Sequence, residues 1–243
     1  MSGSGTSNSP GSAATFNYSI PAGGLYLLRT DGVPATVNTG SMQVVPDTGA
    51  STPAGAGVFS YAPLGTLFSS QIVVTESGVP AATPTSHALV YVDQSNGHMT
   101  GVAIAAPNAT PVHVTLRALQ SDGVTVAGLG SLDLVGNGHD ARFVQEFIPA
   151  LPAGFTGVLD ISATTPFVAL TLRALTNIRD EFLLTTFPVA DFNQPSPVPI
   201  LFPQVADGAG FLTQIILLNT WPTLQYVEIL YFGDDGQLLD VAK

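Results

Sequence analysis

Cysteine is absent from the 243 residues of this chain. Its absence excludes disulfide bonds, cysteine-ligated zinc and thiol nucleophiles. The compartment in which the protein works is left undecided by this absence alone. Any stability must therefore come from packing and hydrogen bonding.

Basic residues are scarce as well. Six Lys and Arg stand against 17 Asp and Glu, giving a formal net charge of −11. Such a surface repels phosphate backbones, so nucleic acid is not an expected partner. Charged residues make up 9% of the chain, so most of its polar surface must be Thr, Ser, Asn, Gln and backbone. That composition is typical of surface-exposed bacterial proteins, and we expect a secreted or cell-surface location.

Long apolar runs are also missing. The longest, at residues 211–218, is interrupted by Thr213 and Gln214, so no membrane insertion is expected. The first five residues, MSGSG, lack the apolar segment of a signal peptide, so we expect any export signal to lie outside this sequence. The 25 Gly and 19 Pro disfavour long helices and favour short strands joined by tight turns. The predicted fold class is all-β.

The chain repeats itself. Residues 97–104 (GHMTGVAI) correspond to residues 210–217 (GFLTQIIL), and the same register continues without a gap to the Asp-Gly pairs ending at Gly123 and Gly236. Residues 20–24 (IPAGG) correspond to residues 134–138 (LVGNG). A repeat of this length indicates tandem modules. We expect antiparallel, immunoglobulin-like β-sandwich modules.

The repeat also predicts how the chain is divided. Residues 1–13 are a flexible linker or tag, and 84–190 form one complete module. The block at 14–80 matches the later half of a module, and the block at 199–243 matches the earlier half. Strands are expected near 15–20, 24–29, 40–45, 57–62, 69–74, 87–92, 100–106, 111–119, 130–135, 140–145, 156–162, 166–175, 181–187, 211–219 and 224–232, with a short helix-like stretch at 141–147.

Several short strings look like uncharacterised β-rich repeat regions of large predicted secreted bacterial proteins. The resemblance covers nearly everything after residue 14 and implies no catalytic residue. In those arrays the block with the Phe-Pro-Gln string precedes the block with Ser-Ile-Pro, so the resemblance implies that one module is split here between the two chain ends. The strings are YSIP at 18–21, ESGVP at 76–80, GVAIA at 101–105, EFLLTT at 181–186 and FPQVADG at 202–208.

The last block differs from the middle block on one strand face. Four residues of the middle block that share that face, Ala103, Ala105, His113 and Arg117, correspond to Ile216, Leu218, Tyr226 and Leu230. A sheet that is apolar on both faces is usually covered on both. We therefore predict that these four apolar residues form an assembly surface, buried by another block or another molecule.

The sequence gives little support for a catalytic site or a metal site. The four histidines, His87, His98, His113 and His139, lack the spacing of zinc ligands. No Gly-x-Ser-x-Gly elbow supports a Ser-His-Asp triad, and the spacing of Glu76, Glu146, Glu181 and Glu228 does not support a glycosidase pair. We expect no enzyme, no metal and no cofactor.

Two weaker possibilities remain, calcium binding and sugar binding, whereas nucleotide binding is not supported. The acidic turns at 93–97, 122–123 and 234–236 could bind calcium, although Asp-Gly and Asn-Gly are also what hairpin turns require. The Gly-Leu-Gly string at 128–130 lacks the features of a phosphate loop. Trp221 lies between two predicted strands and could stack on a sugar.

The expected function is therefore a non-enzymatic structural or adhesive module. Its partner is itself: the split module closes within one chain, or head to tail between chains as a fibre, which we favour. The alternative is a carbohydrate-binding module that recognises a surface glycan through Trp221. An enzyme is the third option.

Overall fold

A computed structural model of the chain describes residues 14–30, 36–61, 75–193 and 199–238. The described part is all-β with antiparallel pairing, as predicted, and contains one helical turn. The elements are β1 (Ala56–Tyr61), β2 (Thr75–Pro80), β3 (Thr85–Asp93), β4 (His98–Ala105), β5 (Val112–Leu119), β6 (Val126–Leu134), β7 (His139–Phe143), α1 (Val144–Phe147), β8 (Thr156–Thr176), β9 (Phe182–Phe187) and β10 (Ala190–Asp191).

The long strand β8 organises the middle of the chain. Its first part pairs with β3 and β5, and β10 and β6 complete that first sheet at its two edges. Its second part, from Val168 onward, pairs with β4 and β9, and β7 completes the second sheet. Pro166, which cannot donate a ladder hydrogen bond, lies between the two parts. β8 therefore belongs to both sheets and is the central strand of each.

One hydrophobic core is shared by the two sheets. Every buried apolar side chain of the described residues lies between Ala88 and Ala174. Alternate residues of β5, such as Val114 and Leu116, point into this core, while His113 and Thr115 are exposed. The largest fully buried side chains come from β3, β4, β5, β8 and the α1 turn: Val90, Val92, Val102, Ile104, Val112, Val114, Leu116, Val144, Ile148, Leu159, Ile161 and Phe167.

Glycines on β6 allow the α1 turn to pack closely against that strand. A Cβ atom on Gly130 would lie 2.5 Å from the Phe147 carbonyl oxygen, and one on Gly128 would lie 2.5 Å from a methyl of Ile148. The Glu146 carboxylate accepts the backbone N–H of Phe143 at 2.8 Å, which caps the turn. The Gly-Leu-Gly string thus has a packing role in this fold.

The predicted strands of the middle block are confirmed, with two differences there and a third in the N-terminal block, and β10 was not among the predicted strands. The segments 156–162 and 166–175 are one continuous strand, β8. The helix-like stretch at 141–147 is helical only from Val144, because its first residues pair with β4 as part of β7. Val79 and Pro80, expected in a connector, end β2.

The predicted strands at 15–20, 24–29, 40–45, 211–219 and 224–232 are wrong for the single chain. Between described residues these segments form no ladder, and the C-terminal block has two isolated bridges, Gly208 to Phe211 and Phe232 to Leu238. The predicted strand at 57–62 is confirmed as β1, which pairs with β2. The prediction at 69–74 lies outside the described residues.

The chain divides into two compact units, Met1–Thr39 and Gly40–Lys243. Within the second unit, β2 lies beside β9. The Thr75 hydroxyl accepts a hydrogen bond from the Leu184 N–H at 2.9 Å, and the Thr186 hydroxyl donates one to the Gly78 carbonyl at 2.7 Å. The module division at 14–80, 84–190 and 199–243, and its immunoglobulin-like character, stay predictions. No helix in the described parts of the chain is long and apolar enough to cross a membrane.

Candidate assembly surface

The two central residues of the β3–β4 turn have positive φ, as do their counterparts in the C-terminal block, although Gly208 also has a positive φ, 96°, where Ser95 does not. Asn96 and Gly97 both have positive φ, 50° and 80°, and their repeat counterparts Ala209 and Gly210 have 50° and 91°. Positive φ is unusual for alanine, so its recurrence at the matching position is informative. The His98 N–H donates to the Ser95 carbonyl at 2.8 Å, and the counterpart bond from Phe211 to Gly208 is 2.9 Å.

In both copies, the hydroxyl of a threonine after that turn forms two hydrogen bonds with the backbone of one residue before the turn. The Thr100 hydroxyl accepts the N–H of Asp93 at 2.9 Å and donates to its carbonyl at 3.3 Å. The Thr213 hydroxyl makes the same two contacts with Ala206, at 3.1 Å and 2.7 Å. These bonds hold the ends of β3 and β4 together, and they recur where no sheet has formed.

The turn after β5 also recurs. Gly123 and Gly236 have φ of 69° and 76°, and each donates to the carbonyl three residues earlier at 2.9 Å. The N-terminal block contributes a fourth match, to the turn after β6. Gly23 has φ of 70° where Asn137 has 58°, and both turns close with a bond of 2.8 Å. The sequence repeat is therefore also a repeat of local structure.

One further correspondence was missed by sequence reasoning. β1 pairs with β2, the strand that follows it, as the second part of β8 pairs with β9. At the offset of 114 found for residues 20–24, residues 57–61 (GVFSY) correspond to residues 171–175 (TLRAL), which lie in that second part. The sequence comparison did not find this match, because the two strings share no identical residue. We therefore match β1 to the second part of the central strand. Yet all six residues of β1 are exposed.

The C-terminal block lacks that central strand. In the middle block β3, β4 and β5 each pair with β8. Their sequence counterparts lie in the C-terminal block, whereas the predicted division places the counterpart of β8 in the N-terminal block. The described residues of 40–61 and 199–238 form no ladder with each other. Without a central strand the three counterpart segments have no common pairing partner, which explains the missing ladders.

The predicted assembly surface is only partly covered in the single chain. Ile216 and Leu218 are half-buried, whereas Tyr226 is 91% and Leu230 is 53% exposed. Their burial by a second molecule stays a prediction. Most of the exposed large apolar side chains among described residues lie in the two terminal blocks, including Phe211, Leu212, Leu224 and Val227.

Three of the four histidines, His87, His98 and His113, lie within 4 Å of a carboxylate oxygen. His87 Nε2 lies 2.8 Å from an Asp160 oxygen, and His113 Nδ1 lies 2.6 Å from an Asp133 oxygen at the surface. Among described residues no three or more His, Asp or Glu are grouped so that they could hold a metal ion.

The three acidic turns use their carboxylates internally. Asp122 accepts the Thr125 hydroxyl and two backbone N–H groups, and those bonds, the hydroxyl first, hold its pKa below the usual value. Asp235 accepts the Gln237 N–H at 3.0 Å. Burial alone would raise the pKa of Asp93, but hydrogen bonds from Ser95 and Arg173 outweigh burial and lower it. These oxygens close the turns.

Trp221 is 48% exposed and lies in a bend. Its backbone N–H donates to the Asn219 side chain at 2.9 Å, which closes an Asx turn. No protein-family model, curated protein or solved structure matches this chain.

Proposed function

We propose that this chain is a non-enzymatic structural module of a secreted or cell-surface bacterial protein, and that its copies join head to tail into fibres. The observation that carries the proposal is the C-terminal block. It has the repeat's turn geometry at 208–213 and 233–236 but no central strand. We take β1 as the counterpart of the second part of that strand, because each pairs with the strand that follows it, and the residues of β1 are exposed.

Such halves join when a strand of one is added to the unpaired strands of the other. Unpaired segments present backbone N–H and C=O groups, and an added strand satisfies them while its side chains select the partner. Burial of apolar surface between the two halves also favours their association. At roughly 25 cal/mol per Å², burying even ~400 Å² of apolar surface contributes about 10 kcal/mol. That is comparable to the whole stability of a domain.

Closure between chains is favoured by the order of the blocks. The complete module separates the C-terminal block from the N-terminal block along the chain. When the C-terminal block of one copy takes the N-terminal block of the next, the contact is head to tail. Such a contact propagates as a filament unless it closes into a ring. The low proportion of charged residues, 9%, and the absence of cysteine are compatible with an extracellular fibre.

The first test is a mass measurement of the purified chain across concentration, with electron microscopy of the same samples. We expect the mean mass to rise with concentration and filaments to appear. A variant lacking 199–243 is expected to stay monomeric, with a folded middle module and an unfolded N-terminal block. A variant lacking residues 1–13 serves as the control and should still assemble.

Two results would contradict the proposal. A chain that stays monomeric at every concentration has no head-to-tail contact. A variant without residues 199–243 that keeps both a folded N-terminal block and assembly would show that the terminal blocks are not halves of one module. Binding of a soluble glycan that is lost in Trp221→Ala would favour the carbohydrate-binding alternative.

A further inference from the structure

The two-stranded sheet of β1 and β2 is attached to the middle block mainly through β2. Thr75 and Ser77 of β2 are 5% and 4% exposed, whereas all six residues of β1 are exposed. At the end of β1 the Tyr61 ring makes an edge-to-face contact with Phe182 of β9, with 5.8 Å between the ring centroids. A two-stranded sheet is marginally stable by itself in water, so this attachment determines whether β1 is formed as a strand.

The free edge of β9 is the surface against which β2 lies. Among described residues β9 pairs with β8 alone, so its other edge presents backbone groups that no ladder satisfies. On that edge the Leu184 N–H donates to the Thr75 hydroxyl at 2.9 Å. The Thr186 hydroxyl donates to the Gly78 carbonyl at 2.7 Å. Two threonine hydroxyls, one from each strand, therefore take the place of ladder hydrogen bonds between β2 and β9.

The same contacts leave the other edge of β1 open. All six residues of β1 pair with β2, and the Ser60 hydroxyl donates to the Glu76 carboxylate at 2.6 Å across the pair. Within the described ranges β1 pairs with no second strand. The open edge is the one to which the proposed assembly adds the C-terminal block of the next copy. β1 is therefore already in strand form before that block binds.

We propose that the free edge of β9 is an anchoring site for β2 of the same chain, and that the anchoring keeps β1 ready to bind the next copy. This inference rests on the proposed head-to-tail assembly. Without the anchoring, only a fraction of the chains would carry β1 as a strand. The apparent affinity for the C-terminal block falls with that fraction, because only the formed strand binds. Thr75 and Thr186 are thus positioning residues for an assembly contact that neither of them makes.

A Thr75→Val, Thr186→Val variant tests the anchoring, because valine removes both hydroxyls and keeps a high preference for strands. We expect the concentration needed for assembly to rise about tenfold or more. In the unassembled variant the backbone amides of β1 and β2 should exchange hydrogen with solvent faster than in the unmodified chain. Thr75→Ser, Thr186→Ser keeps both hydroxyls and should assemble like the unmodified chain. Thr75→Val alone, which leaves the middle block unchanged, should also raise the concentration needed.

Thr164→Val, Thr185→Val is the matched control, because it makes the same exchange at two exposed strand positions of the middle block. Circular dichroism melts of every variant check that the middle block stays folded. Assembly of the Thr75→Val, Thr186→Val variant at the concentration of the unmodified chain and of the control would overturn the anchoring while leaving fibre formation intact. So would unchanged exchange of the β1 and β2 amides. An unmodified chain that never assembles would overturn both proposals.

Discussion

Asp93 and Asp133 both face a basic side chain, but they differ in burial. Asp93 contacts Arg173 inside the protein, with side chains 6% and 18% exposed. Asp133 contacts His113 at the surface, with side chains 85% and 60% exposed. An exposed pair contributes about 0–1 kcal/mol, whereas breaking a buried pair costs about 3–5 kcal/mol because the remaining charge is left unpaired.

Asp93→Asn should therefore lower the free energy of unfolding by about 3 kcal/mol, since it leaves the Arg173 charge buried without a carboxylate. Asp133→Asn is the control and should change it by less than about 1 kcal/mol. Urea unfolding curves of the two variants measure the difference. Equal effects at the two positions would contradict the structural role given to Asp93.

The pH dependence of stability gives a second readout of the same residue. Because the folded state lowers the pKa of Asp93, the stabilisation is present above the unfolded value of about 4 and is lost as pH falls through the folded value. Between neutral pH and about pH 3 the unmodified chain should lose more stability than Asp93→Asn. Parallel losses in both proteins would contradict this assignment.

At the scale of the elements, the turns were easier to predict than the strands. A positive φ or an Asx bond depends on a few neighbouring residues, so the turns at 95–98 and 208–211 form alike in different surroundings. A strand, in contrast, forms only when a neighbouring strand pairs with its backbone. The alternation at 211–219 resembles that of β4, but it gives a ladder only where β8 supplies hydrogen bonds. The sequence pattern therefore predicted the middle strands well and the terminal ones wrongly for the single chain.

The acidic turns give a prediction at the same scale. Their carboxylates accept hydrogen bonds from their own backbone and hydroxyl groups, so we expect that no metal is needed for folding. Thermal melts with and without a chelator should coincide. A chelator-induced drop of about 10 °C or more would contradict this and would make calcium a ligand of the turns at 93–97, 122–123 or 234–236.

For the whole molecule, the exchange of Arg117 for Leu230 and of His113 for Tyr226 predicts the candidate assembly surface, and the burial of that surface stays a prediction. The sequence did not predict which strand pairs with that surface, because the N-terminal block that contains β1 is separated from it along the chain by the middle block. The match of β1 to the second part of β8 becomes clear only from the pairing of each with the strand that follows it. The central claim is that β1 is the missing central strand of the next copy's C-terminal block.

A cross-link tests that claim most directly. Met99 and Ala174 are cross-strand neighbours in the middle block. Their counterparts Leu212 and Ser60, at offsets of 113 and 114, should therefore face each other across the junction. The chain has no cysteine, so a Ser60→Cys, Leu212→Cys variant can form only the designed disulfide or unintended pairs of the two new thiols. Facing strand positions are about the separation a disulfide spans.

The measurement is a non-reducing gel of this variant after mild oxidation of assembled samples. The account predicts a ladder of covalent oligomers that collapses to one band on reduction. Ser60→Cys with Ile216→Cys is the control, because position 216 lies on the same face as position 212 but four residues away, about 13 Å along the strand, and should give no ladder. A band of monomer with an internal disulfide would contradict joining between chains, and no cross-link at all would contradict the pairing of β1 with the C-terminal block.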